Sequence, residues 1–215
     1  MGYQVDVRKL EVFNKMAKEG ANTVSDHLNQ MAGLDTAIEV SKINFLDMED
    51  VKTHLGDREQ VGIYVKLTEA PYGYVLFMLE PRGSKRLAQG MLGGMAGDRE
   101  PEEGLFTDME RSAMQEVGNI MTSGFIDGWA NVLDTTIDMS TPTFVFGPGG
   151  AIVDEMGGWP DEEIAFVIDS KLVASEADVE VTVYTFPKLT ELVDLIGRID
   201  VETDVAADTS ASDVV

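Results

Sequence analysis

Two pairs of side chains carry the chemical interest of this chain: Glu19 with Asn22, and Glu116 with Asn119. In each, a carboxylate and a carboxamide stand three residues apart, which makes them neighbours on one face of a helix. A carboxylate attracts a cation, and a carboxamide accepts and donates hydrogen bonds without changing its ionisation. A solvated helix face accounts for one such pair taken alone; the recurrence of the pair is what gives it weight. Other chemistries lack residues. There is no cysteine, which excludes disulfides, thiolate zinc sites and a cysteine nucleophile. The two histidines, His27 and His54, have no ligand cluster near them and read as ordinary polar side chains. Ser112 has no neighbouring histidine to activate it. The glycine runs Gly93–Gly97 and Gly147–Gly150 lack the Lys-Ser/Thr ending of a phosphate loop and read as loop glycine.

Helices must present these pairs, and the apolar spacing predicts them. Leu10, Phe13, Ala17, Ala21, Val24, Leu28 and Met31 recur at intervals of three and four, giving an amphipathic helix over about Val7–Met31. On a wheel turning roughly 100° per residue with Ala17 at the origin, that set lies within about 40° of it, whereas Glu19 falls near ~200° and Asn22 near ~140°. A second helix over roughly Phe106–Val132 turns Val117, Ile120, Met121, Gly124 and Gly128 inward. It turns Ser112, Glu116, Asn119 and Ser123 outward. Glycine inside a helix costs roughly 1 kcal/mol relative to alanine, so Gly124 and Gly128 predict close approach of another backbone, and Gly20 is placed to do the same. The 12 methionines, several at core spacing, read as adaptable filling.

The order of elements repeats. After the first helix come a strand over Ala37–Ile43, a short helix near Asp47–Leu55, strands over Gln60–Thr68 and Tyr72–Leu79 closed by Pro81, and a helix over Ser84–Met91. After the second come a strand over Thr136–Met139, a short helix near Ala151–Met156, strands over Glu163–Ile168 and Asp178–Phe186 closed by Pro187, and a helix over Leu189–Ile196 ending at Gly197. The stretch Leu34–Ser41 aligns with Leu133–Ser140, five of eight positions being identical. The expected organisation is one domain over 1–198 made of two repeats, about 7–93 and 106–197, packed about a pseudo-twofold axis. Residues 93–105 read as a linker or mobile loop, and 199–215 as an acidic disordered tail.

With 39 acidic residues against 16 basic, the net charge is −23. That field disfavours nucleic acid and anionic lipid as partners. Acidic residues are spread along the chain and lysines number only nine, which reads as adaptation to a salt-rich cytoplasm, as in a salt-adapted archaeon. No apolar run reaches the roughly 20 residues of a membrane span, and the N-terminus lacks the order of a secretory signal; a soluble cytoplasmic protein is expected.

At these residues the chain resembles the CheC family of chemotaxis phosphatases, which includes CheX and the motor-associated FliY. The family pattern is Asp or Ser, three residues, Glu, two residues, Asn, and a Pro some two dozen residues on. Ser112, Glu116, Asn119 and Pro142 match it at every defined position. The first copy keeps Glu19 and Asn22, but Lys15 stands where Asp or Ser is usual, and Lys42-Ile43-Asn44 near the expected Pro. The resemblance extends over roughly residues 8–198. It implies an α+β, internally duplicated fold: two long helices on a mixed, mostly antiparallel sheet with pseudo-twofold symmetry. It also implies hydrolysis of the aspartyl phosphate of the response regulator CheY. Asn22 and Asn119 would hold the attacking water, and Glu19 and Glu116 would pair with a lysine of the regulator. The chain would need no cofactor of its own, Mg²⁺ belonging to the regulator. The alternative is a non-catalytic adaptor that binds CheY, the deamidase CheD or the motor, which Lys15 and the missing first proline favour.

Overall fold

Phe13, Met16, Ala17, Val24 and Leu28 are buried along one side of the first helix, and that stripe is what folds it onto the rest of the chain. The computed structural model describes residues 10–32, 35–93, 106–157, 164–174 and 177–198. Helix α1 spans Leu10–His27 and runs into a π-helical turn, Leu28–Ala32. This turn brings Asn29 to the entry of the next strand. Asn29 Oδ1 accepts from the Thr36 N–H (2.7 Å) and hydroxyl (3.2 Å), and Ser25 Oγ donates to the Thr36 carbonyl (2.5 Å). Strand β1 (Thr36–Asp47) then outruns the segment expected from alternation. Asp47 ends it by capping α2 (Met48–Leu55), its carboxylate accepting from the Asp50 N–H at 2.9 Å.

The first half is completed by β2 (Glu59–Leu67), β3 (Gly73–Leu79) and α3 (Pro81–Met91). Pro81 opens α3 rather than merely closing β3, because its missing N–H costs nothing at a helix start. The second half holds α4 (Asp108–Leu133), β4 (Thr143–Pro148), α5 (Gly149–Glu155), β5 (Ile164–Ala174), β6 (Ala177–Pro187) and α6 (Leu189–Arg198). Helix α6 passes through Gly197 to Arg198. The expected linker at 93–105 lies, apart from Gly93, outside the described residues, as do Gly33, Leu34 and the expected tail at 199–215.

The six strands form one sheet in the order β1-β5-β6-β3-β2-β4. Every pair of neighbours is antiparallel. Advancing each strand number by three reverses the order onto itself, with β1 and β4 exchanging as edges. The two edges even share an irregularity. On β1 the register slips between Val40 and Lys42, leaving Ser41 as a bulge whose hydroxyl donates to the Asp169 carbonyl at 2.9 Å. On the other edge Leu67 bridges Met139, yet Tyr64 pairs with Thr143; four steps on one strand face three on the other, so one residue is again extra. There Ser140 Oγ accepts from the Lys66 N–H (3.0 Å), and the Ser140 N–H donates to the Lys66 carbonyl (2.8 Å). The aligned serines Ser41 and Ser140 thus each tie a bulge to the facing strand.

That slip corrects one expectation. Thr136–Met139 is not a strand: it contributes a single bridge at Met139, and the ladder resumes only at Thr143. Pro142, just before it, has no N–H to give to a ladder. At the matching place β1 carries Ile43, which pairs with Ile168 and keeps that strand continuous.

Alternation along the inner strands sends Val61, Ile63, Val65, Phe77, Ile168 and Val183 to one face, where α1 and α4 cover them. Leu76, Met78, Ala165, Val167, Tyr184 and Phe186 go to the other, beneath α2 and α5. On this second face the Tyr184 hydroxyl shares a 2.8 Å hydrogen bond with His54 Nδ1. Burial, with the Asp169 charge adding to it, holds the Tyr184 phenol well above its ordinary value of 10.0. The folded state therefore keeps that proton more tightly than the unfolded chain, so its contribution to stability is complete below pH ~10 and declines as pH rises above it. Urea unfolding of wild type should show a steeper loss of stability above that pH than Tyr184→Phe; equal slopes would contradict the assignment.

Candidate active site

Helix α4 is built to start where it does. Thr107 and Glu110 form a reciprocal capping box: the Glu110 N–H donates to Thr107 Oγ1 (3.2 Å), and the Thr107 N–H donates to Glu110 Oε2 (2.8 Å). The Thr-x-x-Glu spacing was open to reading in the sequence. Thr107→Ala should lower the unfolding free energy by about 1 kcal/mol in urea titrations; no change would mean the cap is dispensable. From this start the helix turns Ser112, Glu116 and Asn119 to solvent, all three exposed, while Ser123 is only half-buried rather than outward-facing. On α1 Asn22 is exposed and Glu19 half-buried.

Glycine sets the distance between the two helices. A Cβ at Gly128 would lie 2.6 Å from the Cα of Gly20, and one at Gly124 would lie 2.8 Å from the Cα of Val24. A Cβ at Gly20 would meet the Phe125 ring at 2.8 Å. The backbones therefore touch, and the expected close approach is between α1 and α4 themselves. The pairing of Gly128 with Gly20 and Gly124 with Val24 makes the helices antiparallel. Asn22 lies two residues before Val24 and Asn119 five before Gly124. Because the helices run oppositely, these offsets add, and the two amides stand about 10 Å apart along the common axis at roughly 1.5 Å per residue. Asn22, Glu116 and Asn119 are exposed on one helix layer, and Glu19 is half-buried.

The surroundings of the pairs differ. Beside the second, Gln115 Nε2 donates to the carbonyl of Pro142, itself buried. The motif proline is thus held against the helix one residue from Glu116. Arg111 lies over the Phe144 ring at 5.8 Å and donates from Nε to the Phe106 carbonyl at 3.3 Å, joining the start of α4 to the strand that follows Pro142. Gly118 lets α4 settle on β2, where a Cβ would strike Ile63 at 2.7 Å. Gln115 escaped sequence reasoning because its partner lies 27 residues away, across a bulge that local pattern does not reveal. Beside the first pair, Lys15 and Lys18 are exposed, and Glu19 abuts α4: its carbonyl carbon would lie 2.8 Å from a Cβ at Gly128.

The remaining candidates fall elsewhere. His54 meets Tyr184 on the opposite face of the sheet, and His27 Nε2 lies 4.0 Å from Asp127 Oδ2 at the end of α1. Gly147–Gly150 passes from β4 into the short helix α5. No helix among the described residues is long and apolar enough to cross a membrane.

An α+β sheet carrying two antiparallel helices, each with a Glu-x-x-Asn whose amide is exposed, defines a recognisable class. Residues 109–146, the span from the start of α4 into β4, match the model of the CheC-like family. A protein of Halobacterium salinarum named "Putative CheY-P phosphatase CheC1" is 45% identical over 199 residues, covering 93% of this chain and 100% of that protein. The chain belongs to the CheC-like family. Solved structures share the fold: Thermotoga maritima FliY superposes with a TM-score of 0.73 at 19% identity over 91% of this chain and 99% of that one. The FliM middle domain of H. pylori does so at 0.63 and 11%, over 91% and 100%.

Proposed function

We propose that this chain hydrolyses the aspartyl phosphate of a CheY-type response regulator and so ends its signal. The observation that carries the reading is the exposure of Glu116, Asn119 and Asn22 on one helix layer, with Glu19 half-buried. The name borne by the Halobacterium relative supports it. A site on the face of a helix layer suits a substrate that is itself a folded protein. In the reaction a water oxygen bonds to phosphorus while the bond between phosphorus and the aspartyl oxygen breaks. The carboxylate leaves with the electron pair, giving inorganic phosphate. The acyl phosphate is already activated, so catalysis reduces to placing the water in line and stabilising charge. Asn119 and Asn22 each offer a carbonyl oxygen to accept from that water. Glu116 and Glu19 offer a carboxylate to a lysine beside the regulator's phosphoryl group, orienting the docked protein. Mg²⁺ belongs to the substrate, held by the regulator.

The test is the lifetime of the regulator's phosphate in concentrated KCl, alone, with wild type, and with Asn22→Ala/Asn119→Ala. Shortening by wild type and a return to the spontaneous lifetime in the double variant support the reading. Equal shortening by both would sink it. Binding of the regulator, of CheD or of a motor component with no change in lifetime would establish the adaptor role instead, which the departures at Lys15 and Ile43 favour for the first site.

A further inference from the structure

Gln115 does something at the second pair that has no counterpart at the first. The edge of the sheet slips by one residue between Met139 and Thr143. On its β2 side the slipped segment is fastened by Ser140, whose N–H and Oγ both engage the Lys66 backbone, and by the Thr68 N–H donating to the Asp138 carbonyl at 2.8 Å. On its helix side the fastening is the amide of Gln115 on the Pro142 carbonyl. Proline explains why that carbonyl is available: a residue without an N–H interrupts the ladder there, and a buried carbonyl outside the ladder needs another donor. Exposed Thr141 immediately precedes the proline so held, and Gln115 itself is flanked by Glu116 on α4. In the other repeat, Lys18 occupies the position of Gln115 and is exposed. Ile43 stands in the place of Pro142, within a continuous strand opposite Ile168.

We propose that Gln115 is a positioning residue of the second site: by holding Pro142 it sets the Ser140–Pro142 segment as a fixed wall beside Glu116, against which the docked regulator rests. This rests on the phosphatase reading. Gln115 touches neither the water nor the phosphoryl group; it acts through Pro142 on the fit of the substrate. Loss of its donor loosens the wall and weakens docking while leaving the amide of Asn119 in place.

The experiment isolates each site. In an Asn22→Ala background, Gln115→Leu should raise KM for the phosphorylated regulator about fivefold to tenfold, the scale of one hydrogen bond, with kcat changed less than about twofold. Gln115→Lys, whose ammonium lies one bond farther out on a flexible stem that can fold back to donate to the Pro142 carbonyl, should return KM close to the background value. In an Asn119→Ala background, where the first site alone remains, Gln115→Leu should leave the residual rate unchanged. An unaltered KM in the first background overturns the proposal, as does an equal loss in both backgrounds, which marks a general loss of folding. Failure of wild type itself to shorten the phosphate lifetime overturns the phosphatase reading, and this proposal with it; an active wild type with a silent Gln115→Leu overturns this proposal alone.

Discussion

If the chain hydrolyses the regulator's phosphate as proposed, Asn119→Ala should remove most of that activity, leaving a tenth or less of the wild-type rate, whereas Asn22→Ala should retain at least about half. The reasoning is positional. Loss of one preorganised hydrogen-bonding group lowers the rate at its own site by roughly a hundredfold or more, so each single variant reports what the other site can do alone. The second site carries the full pattern Ser112, Glu116, Asn119 and Pro142, its Glu116 is exposed, and Pro142 is tied to the helix by Gln115. At the first, Lys15 brings a positive charge one turn before Glu19. On the proposed reading that lysine would compete for the carboxylate with a lysine of the regulator, at the i,i+4 spacing where opposite charges attract. Single-turnover decay of phosphorylated CheY with each variant decides the matter. Equal losses would mean that the two sites are equivalent despite their different surroundings.

Gly128→Ala should destabilise the fold by about 2–3 kcal/mol, a sign opposite to that expected from helix propensity. In an isolated helix the same change gains roughly 1 kcal/mol. Here the new methyl carbon would stand 2.6 Å from the Cα and 2.7 Å from the nitrogen of Gly20, and 2.8 Å from the carbonyl carbon of Glu19. All three are backbone atoms, which cannot rotate away as a side chain could, so α1 and α4 must separate. Separation strips contacts from Phe125 and Trp129, which pack 5.1 Å apart beneath the crossing, and overpacking of this kind typically costs 1–3 kcal/mol or more. Urea denaturation measures the change directly. Gly150→Ala, where an added Cβ meets nothing within 4 Å, is the control and should be near neutral. A Gly128→Ala protein as stable as wild type would show that the helices do not touch there.

Much of this architecture could be read locally, and what could not has a common cause. The long helices follow from the spacing of Phe13, Ala17, Val24 and Leu28, and of Val117, Ile120 and Met121, because burial of one stripe imposes a period that the chain itself displays. The glycines at 20, 124 and 128 announced a backbone contact for the same reason: only proximity repays their cost. The alignment of Leu34–Ser41 with Leu133–Ser140 ended on two serines that turned out to play one part, each tying a bulge to the opposite strand. The recurring order of elements puts a strand at Thr136–Met139, whereas the ladder of β4 depends on which residues of β2 lie opposite. Gln115 was invisible for the same reason. Its type and position are unremarked until Pro142, far along the chain, is brought beside it. Local periodicity records what a residue buries, and leaves unrecorded whom it meets.

The sheet order has a consequence for how such a chain can be divided. Among the described strands, β1 is paired only with β5 and β4 only with β2. Each half thus lends its first strand to the other half and keeps none of that strand's ladder for itself. Cut between α3 and α4, neither piece would possess the neighbour its own edge requires, and the two would be stable only as a reassembled couple. A half-length ancestor of this design would have met the same want with a second copy of itself. Fusion of the two copies would then have turned a bimolecular association into one fold, freeing the helix pairs at 19/22 and 116/119 to diverge without either half losing its companion.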